Sequence, residues 1–436
     1  MKKNICLIIL LSILFIFSYF SFVYAYDLKD AVDSVLRNNK QLQISQKKLE
    51  SVILEKKQVI TEFLPNINLE WAKIFENPSD KMSYYGASSF NTEFFTLSIK
   101  QDIYTGGSTI AKLSVYDAKI ESAYQEYNKF RNEIILRTVQ SYQNVLTYRE
   151  ITKVHQINVR MAKKSVEKAK INIKSGSETK SVIFLARAHL SSLQSDLADC
   201  VLRKNQAYSS FKYFVGEEPP ITMKAIEVKK YAKIQNINEF EALVYNQNPS
   251  LIKVRSDSKL LKKEINVLSS ALLPRVHLFT NIIKPKISEN NYSTRPFKGN
   301  QYGVSIIVPL LYKGGIQYLN ISDMKKKSQS HELNVRDMTD KILSQTINVW
   351  DQYISSQKIY KLSQIAEDNY YQVYLSAKSE FNIGAKTLIE LISKQRNYND
   401  YRIKRIFKER DYTLSLFEIY NLTGNLLQVI NMIHTP

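Results

Sequence analysis

Few side chains of this 436-residue chain have the types and spacings that chemistry requires. The five histidines are scattered without the spacing of metal ligands, so we expect no metal site. The acidic residues are distributed along the chain, and no nucleophile and base are grouped beside them. Glycine is scarce, and no phosphate-binding motif of the G-x-G-x-x-G or G-x-x-x-x-G-K kind occurs. We therefore predict that the protein is not an enzyme and that it binds no cofactor.

The charged residues with the most informative position follow a single glycine, Gly384. Lys386 and Glu390 come two and six residues after it, and Phe381 comes three residues before it. On a helix, Lys386 and Glu390 are four residues apart and would form a surface pair that contributes about 0.2–0.5 kcal/mol. Whether these side chains have a role beyond such a pair depends on the secondary-structure elements in which they lie.

The N-terminus has the pattern of an export signal. Lys2 and Lys3 precede an apolar run from Ile5 to Phe17, and a small-residue cleavage site ends at Ala25. We predict that residues 1–25 are a signal peptide cleaved after Ala25, and that no later segment forms a membrane-spanning helix. Cleavage leaves 59 basic and 41 acidic residues. We interpret this net charge of +18 as a solvated basic surface and expect no binding of nucleic acid.

An internal repeat organises the mature chain. Eight of the eleven glycines form four pairs at one spacing of 208 residues, namely Gly106 with Gly314, Gly107 with Gly315, Gly176 with Gly384, and Gly216 with Gly424. Because chance does not align so many rare residues, the mature chain contains two copies of one unit. We place the first structural repeat at 26–229 and the second at 230–436.

Each copy contains a proline-free tract that is long enough for two helices. No proline falls between residues 79 and 218 or between 310 and 435. Apolar residues at steps of three and four form two adjacent stripes along each tract, which indicates a helix packed on both flanks. We predict a long helical hairpin in each copy. It turns at Gly176 in the first copy and at Gly384 in the second, since glycine accepts the positive φ of a helix end.

Before each long helix, apolar and polar residues alternate, which is typical of a strand with one apolar face. Ile67, Leu69 and Trp71 give this pattern in the first copy. We predict strand pairs at about 64–104 and about 273–312, with lengths that suit tilted membrane strands. Four strands cannot close a membrane barrel, so several chains must share one if these strands enter a bilayer.

Taken together, these features resemble the TolC-type outer membrane efflux proteins. The resemblance covers essentially all of the mature sequence and depends on landmarks that occur in the same order in both copies. They are the Asn-x-x-Leu starts at Asn39 and Asn248, the Leu-Pro at Leu64 and Leu273, the Tyr-x-Gly-Gly at the strand–helix junctions (Gly106, Gly107, Gly314 and Gly315), and the turns at Gly176 and Gly384.

The resemblance implies a fold that is mainly α with a small β part. Three chains would form a trimeric α-helical barrel and share one 12-stranded antiparallel transmembrane β-barrel, to which each chain gives four strands. The protein would lie in the outer membrane, with its helices extending through the periplasm. It would be the exit duct of a tripartite efflux or type I secretion system for drugs, metals or secreted proteins. The turns at Gly176 and Gly384 would contact a periplasmic adaptor protein that is bound to an inner-membrane transporter.

The resemblance also implies a pore constriction at the second turn. Glu390 matches a constricting acid of the family, Lys386 a basic position and Phe381 an aromatic one. Three copies around an axis would bring three carboxylates together and select cations. Two positions depart from the family pattern, because Ser393 stands where a second acid is common and Val182 stands where the first turn often has Asp.

Two alternatives stay open at this point. The surface pair of Lys386 with Glu390 is an alternative to the ring of three carboxylates. For the chain as a whole, the alternative is a periplasmic helical-hairpin structural or adaptor-like protein, which would require the strands to be soluble.

Overall fold

In the computed structural model, the described residues are 26–76, 90–176, 179–231, 234–287, 299–310 and 312–432, and the predicted signal peptide lies outside them. The helices are α1 (Leu28–Asn38), α2 (Lys40–Thr61), α3 (Ser108–Lys174), α4 (Lys180–Val215), α5 (Val228–Tyr231), α6 (Ile237–Gln247), α7 (Pro249–Ser270), α8 (Ile316–Asn382), α9 (Leu388–Thr423) and α10 (Leu426–Met432). The strands are β1 (Asn66–Glu76), β2 (Phe90–Tyr104), β3 (Arg275–Ile287) and β4 (Gly299–Ile307), and a 3-10 helix covers Tyr312–Gly315. None of the helices in these ranges is long and apolar enough to span a bilayer.

The order and lengths of the elements repeat. Helices α3 and α8 both have 67 residues, and α4 and α9 both have 36. The second member of each pair begins 208 residues after the first, and in both copies a strand pair precedes the longest helix. The chain's own part of the predicted fold class is therefore confirmed: it is mainly α, with two repeats and four strands in one small antiparallel sheet. The boundary between the repeats at 229 and 230 stays a prediction.

The repeated Asn-x-x-Leu sequences mark helix starts. The side-chain oxygen of Asn39 accepts a hydrogen bond from the backbone N–H of Leu42 at 3.1 Å, and that of Asn248 accepts one from Leu251 at 3.0 Å. Asparagine is among the preferred N-cap residues, because it satisfies a backbone donor that the helix itself cannot pair. Both leucines are buried, so each motif combines a cap with an apolar anchor one turn into the helix.

The four strands form one antiparallel sheet in the order β1-β2-β3-β4. The register places Leu69 opposite Leu97 and Trp71 opposite Phe95. Leu69 is 75% exposed and Trp71 is 58% exposed, so an apolar face of the sheet lies at the surface of the chain. Among the described residues, β1 and β4 each pair with one strand only and form the two edges of the sheet.

The chain divides into two compact units, and each takes segments from both repeats. The first unit comprises Met1–Leu42, Arg131–Ala242 and Thr346–Pro436, and the second comprises Gln43–Phe130 and Leu243–Gln345. The second unit contains the sheet.

The core of the first unit contains the apolar stripe of the first repeat. Val139 and Tyr142 of α3 are fully buried, and the Tyr142 hydroxyl donates to the carbonyl oxygens of Tyr26 at 3.1 Å and Lys224 at 2.7 Å. In the second repeat, the residue that corresponds to Val139 is Ile347, which is 43% exposed. The matching stripe of α8 is therefore only partly covered within one chain.

Candidate functional site at the helical turns

The site predicted from the sequence lies at the two helical turns of the first unit. We define the tip as residues 163–187 and 378–394, that is, the two turns with the helix ends that flank them. In the first turn, α3 ends at Lys174 and Gly176 has a φ of +77°. The backbone N–H of Gly176 donates to the carbonyl oxygen of Ile173 at 3.1 Å, and α4 begins at Lys180 after Thr179.

The second turn is held by two backbone hydrogen bonds at the end of α8. The N–H of Gly384 donates to the carbonyl oxygen of Phe381 at 3.1 Å, and the N–H of Ala385 donates to that of Glu380 at 2.8 Å. These are the two bonds of a Schellman motif, in which the glycine takes the left-handed conformation. Gly384 has a φ of +78°. An added Cβ at Gly176 or Gly384 would meet no atom within 4 Å, so only the backbone conformation requires glycine there.

Glu390 takes part in a capping box at the start of α9. The Thr387 hydroxyl accepts a hydrogen bond from the Glu390 backbone N–H at 3.3 Å. In return, the Glu390 carboxylate accepts bonds from the Thr387 backbone N–H and hydroxyl, both at 2.9 Å. The backbone and hydroxyl bonds from Thr387 lower the pKa of Glu390, so the carboxylate is ionised at neutral pH. It is exposed, and its second oxygen has no hydrogen-bond partner among the described residues.

Lys386 does not pair with Glu390 in this chain. Its Nζ atom lies 2.5 Å from a carboxylate oxygen of Glu380, across the turn. The simple surface pair considered from the sequence is therefore not the arrangement that forms, and Glu390 stays available for another role.

Phe381 packs inside the tip. It contacts an apolar cluster that joins α3, α4 and α9, with its members at Val166, Ala169, Val182, Ala186, Leu388 and Ile392. The Lys168 ammonium lies 5.1 Å from the centre of the Phe381 ring. The predicted constriction residues are thus placed on one tip, but differently: Glu390 is exposed, Lys386 is paired and Phe381 is half-buried.

In the first turn, the start of α4 is stabilised without a carboxylate. Thr179 and Val182 stand 208 residues before Thr387 and Glu390. Thr179 makes no side-chain capping bond, whereas Val182 is only 3% exposed and lies in the cluster that Phe381 contacts. Apolar burial therefore fixes the start of α4, and the acid of the capping box fixes the start of α9. Ser393 is exposed.

The glycines of the two strand–helix junctions are not equivalent, although Gly106, Gly107, Gly314 and Gly315 all have positive φ. A Cβ at Gly106 would lie 2.6 Å from the Ser270 carbonyl oxygen and 3.0 Å from the Cβ atom of Leu273. A Cβ at Gly314 would meet nothing within 4 Å. Gly106 is therefore required by close packing as well as by conformation.

One charged cluster in the first unit was not predicted from the sequence. Arg405 of α9 is 17% exposed in its side chain and contacts Glu367 of α8 at 2.7 Å and Glu150 of α3 at 3.0 Å. It also pairs with Glu409, one turn further along α9. Burial lowers the pKa of Arg405, but Glu367, Glu150 and Glu409 outweigh it and raise that pKa overall. Only the Glu409 pairing has a sequence signal, the i, i+4 spacing, because the other two partners are 38 and 255 residues away.

Comparisons with known proteins give one consistent picture. The family model described as "Outer membrane efflux protein" matches residues 31–216. A curated relative, the outer membrane protein TolC of Vibrio cholerae, is 22% identical over 346 residues, which are 76% of this chain and 76% of the relative.

Solved structures match nearly the whole chain. The CmeC outer membrane channel of Campylobacter jejuni has a TM-score of 0.78 at 16% identity and covers 92% of this chain and 86% of its own. The open state of the MtrE outer membrane channel of Neisseria gonorrhoeae has a TM-score of 0.76 at 12% identity, with 92% and 89% covered. VceC of Vibrio cholerae, an outer membrane protein, has a TM-score of 0.74 at 15% identity, with 92% and 96% covered.

These findings favour an outer membrane efflux channel over a periplasmic hairpin protein, and they agree with the predicted outer membrane location. Cleavage after Ala25 stays a prediction. The predicted resemblance is confirmed: in sequence and in fold, the chain is similar to the TolC-type outer membrane efflux proteins.

Proposed function

We propose that three copies of this chain form one exit duct across the outer membrane, with the four strands of each chain contributing to a shared 12-stranded barrel. The observation that carries the proposal is the sheet with two edges. Backbone groups at an open edge have no partner in lipid, so a membrane sheet must close on itself. One chain supplies four strands, and bacterial barrels have at least eight. Edge β1 of one copy therefore pairs with edge β4 of the next, and the family resemblance sets the number of copies at three.

Exposed apolar surface supports the same assembly. Leu69 and Trp71 on β1 and Val304 on β4 are each more than half exposed, as lipid-facing residues of a barrel are. On α8, Ile347 and Ile354 are seven residues apart and are 43% and 44% exposed. Two helical turns separate them, so they form a stripe that packs against a neighbouring copy.

The partners of the duct are a periplasmic adaptor protein and an inner-membrane transporter. The turns at Gly176 and Gly384 lie in one compact unit, and the apolar cluster at Val182 and Leu388 holds them together. They form a single rigid surface for the adaptor. The family resemblance supports this assignment of the tip.

The second turn narrows the duct. Glu390 is exposed and ionised, so three copies would present three carboxylates to one axis. Lys386 is held at the turn by its ion pair with Glu380, and Phe381 packs against the apolar cluster beneath the turn. In this arrangement, Glu390 is the group that acts on permeating ions, and Thr387 positions its carboxylate.

Cysteine cross-linking and conductance test this proposal together. In a Cys200→Ser background, a cysteine at Leu69 in β1 is combined with one scanned over Asn300, Tyr302 and Val304 in β4, which lie on the same face of the sheet. We expect at least one combination to give a covalent trimer after oxidation, and we expect the uncrosslinked protein to form conducting channels in planar bilayers. Intrachain products alone, or protein that is folded but never conducts, would contradict the shared barrel.

A further inference from the structure

The tip carries a far higher density of positive charge than the rest of the chain. Residues 163–187 and 378–394 include ten Lys or Arg and four Glu. About a tenth of the chain thus holds nearly a third of its net charge of +20. A basic composition shared evenly by the whole chain does not explain this concentration.

Each described acid of the tip has at least one partner within the tip. Glu167 pairs with Lys170 at 2.8 Å, Glu380 pairs with Lys386 at 2.5 Å, and Glu390 closes the capping box. Glu178 lies outside the described residues. The exposed lysines with no ion pair to any described residue include Lys163, Lys174 and Lys180.

Large apolar side chains are exposed at the same two turns. Ile383, next to the second turn glycine, is 81% exposed, and Ile171 and Phe184, on either side of the first turn, are each 65% exposed. Exposed apolar patches with a polar rim mark interaction surfaces. A second trimer that met the tip end to end would bring like charges together here, so the charge of the tip disfavours that occupant.

We infer that the tip docks an elongated acidic protein, in which an apolar ridge is flanked by Asp and Glu. The ridge packs on Ile171, Phe184 and Ile383, and the carboxylates pair with Lys163, Lys174 and Lys180. The inference rests on the proposed function in one respect, because it specifies the chemistry of the adaptor surface that meets the tip.

The placement of the lysines favours a protein over an anionic membrane. Lys163 lies eleven residues before Lys174 on α3, which corresponds to about 16 Å along the helix axis. Charge interactions are screened over about 8 Å at physiological salt. A flat membrane at the turn therefore does not attract Lys163, whereas a partner lying alongside the hairpin reaches both lysines.

Binding of designed hairpins to the purified full-length trimer tests the inference. The probe is a soluble helical hairpin of about 60 residues with a Leu ridge flanked by Asp and Glu, and its control has every Asp and Glu replaced by Lys. We expect the acidic hairpin alone to bind, and we expect binding to weaken as salt rises from 0.05 to 0.5 M. The variant Lys163→Glu/Lys174→Glu/Lys180→Glu should bind it at least about tenfold more weakly, because three attractive pairs become repulsive.

Two further variants separate charge from packing. Phe184→Ser/Ile383→Ser should also weaken hairpin binding, without changing its salt dependence. The matched control Lys48→Glu/Lys57→Glu/Lys259→Glu reverses three exposed lysines of the second unit and should bind within about twofold of the parent.

Each other result overturns the inference in a distinct way. Binding to phosphatidylglycerol vesicles with no binding to the hairpin would make the partner a membrane. Trimers that conduct normally but bind neither probe would refute the acidic partner and leave the duct intact. Protein that binds the acidic hairpin but never forms channels would refute the duct and leave the acidic docking surface standing.

Discussion

Two substitutions at the second turn separate the charge of Glu390 from its role in the capping box. Glu390→Gln removes the charge, but glutamine also serves at this position of a capping box and still accepts from Thr387. Thr387→Ala removes the cap and keeps the carboxylate. If the carboxylate acts in a ring of charge, Glu390→Gln should weaken cation block more than Thr387→Ala does. If it acts only as a helix cap, Thr387→Ala should be the more damaging of the two changes.

The expected magnitudes follow from the energy of a helix cap and from Coulomb's law. Thr387 makes the only side-chain cap of α9, and loss of a threonine N-cap costs about 1 kcal/mol per chain. For the ring, a divalent cation about 8 Å from each of three carboxylates in water gains about 0.2 kcal/mol per unit charge pair after screening. Six such pairs give about 1 kcal/mol, which is a fivefold to tenfold change in affinity.

Planar-bilayer recording with Ca²⁺ titrated on the periplasmic side measures the ring. We expect Glu390→Gln to raise the Ca²⁺ concentration for half-block about fivefold to tenfold with little change in thermal stability. Thr387→Ala should lower the unfolding temperature and leave block close to that of the parent. Unchanged block in Glu390→Gln would refute the ring, and the carboxylate would then be a helix cap only.

The remaining predictions concern packing and protonation in single chains. Gly106→Ala should lower the free energy of unfolding by several kcal/mol more than Gly314→Ala. Both changes cost about 1–2 kcal/mol for positive φ, but only a Cβ at Gly106 also collides with a backbone oxygen 2.6 Å away. Chemical denaturation compares the two variants, and equal losses would contradict the close approach. Arg405→Met should cost on the order of 3 kcal/mol, since it leaves partly buried carboxylates unpaired. Arg203→Met, at an exposed pair, should cost much less, and a similar loss in both variants would contradict the buried cluster. Burial lowers the pKa of His155, although nearby aspartates oppose it, so the unfolded chain takes up its proton first and stability should fall as pH drops below about 6.5. Thermal unfolding at pH 7.5 and 5.5 should show a smaller drop for His155→Gln, and an unchanged drop would contradict the assignment.

Much of the fold was predictable because the repeat marks it twice. The four glycine pairs at a spacing of 208 residues are the eight glycines with positive φ among the described residues. Each of these glycines lies at a helix end or in a turn. The fixed spacing of this rare residue therefore predicted where the helices begin and end, without knowledge of how they pack. The alternation at Leu69 and Trp71 likewise predicted a strand with one apolar face, since side chains on a strand alternate between its two faces.

The details of the site were less predictable, for physical reasons. The capping box at Thr387 and Glu390 has a readable Thr-x-x-Glu signature, but the same carboxylate was interpreted only as a ring or a lysine pair. No local pattern predicts that Lys386 turns to Glu380 or that Arg405 gathers acids from three helices, because those contacts depend on how helices pack. The burial of Val182 in place of an acid also depends on the facing surface of α9 and not on its own neighbours in sequence.

Native mass spectrometry of the conducting protein, released from detergent, tests the central claim most directly. The account predicts a single species with three times the mass of the mature chain, because only a shared barrel leaves no strand edge open. A folded monomer with intact strands, or a species of any other stoichiometry that still conducts, would contradict it.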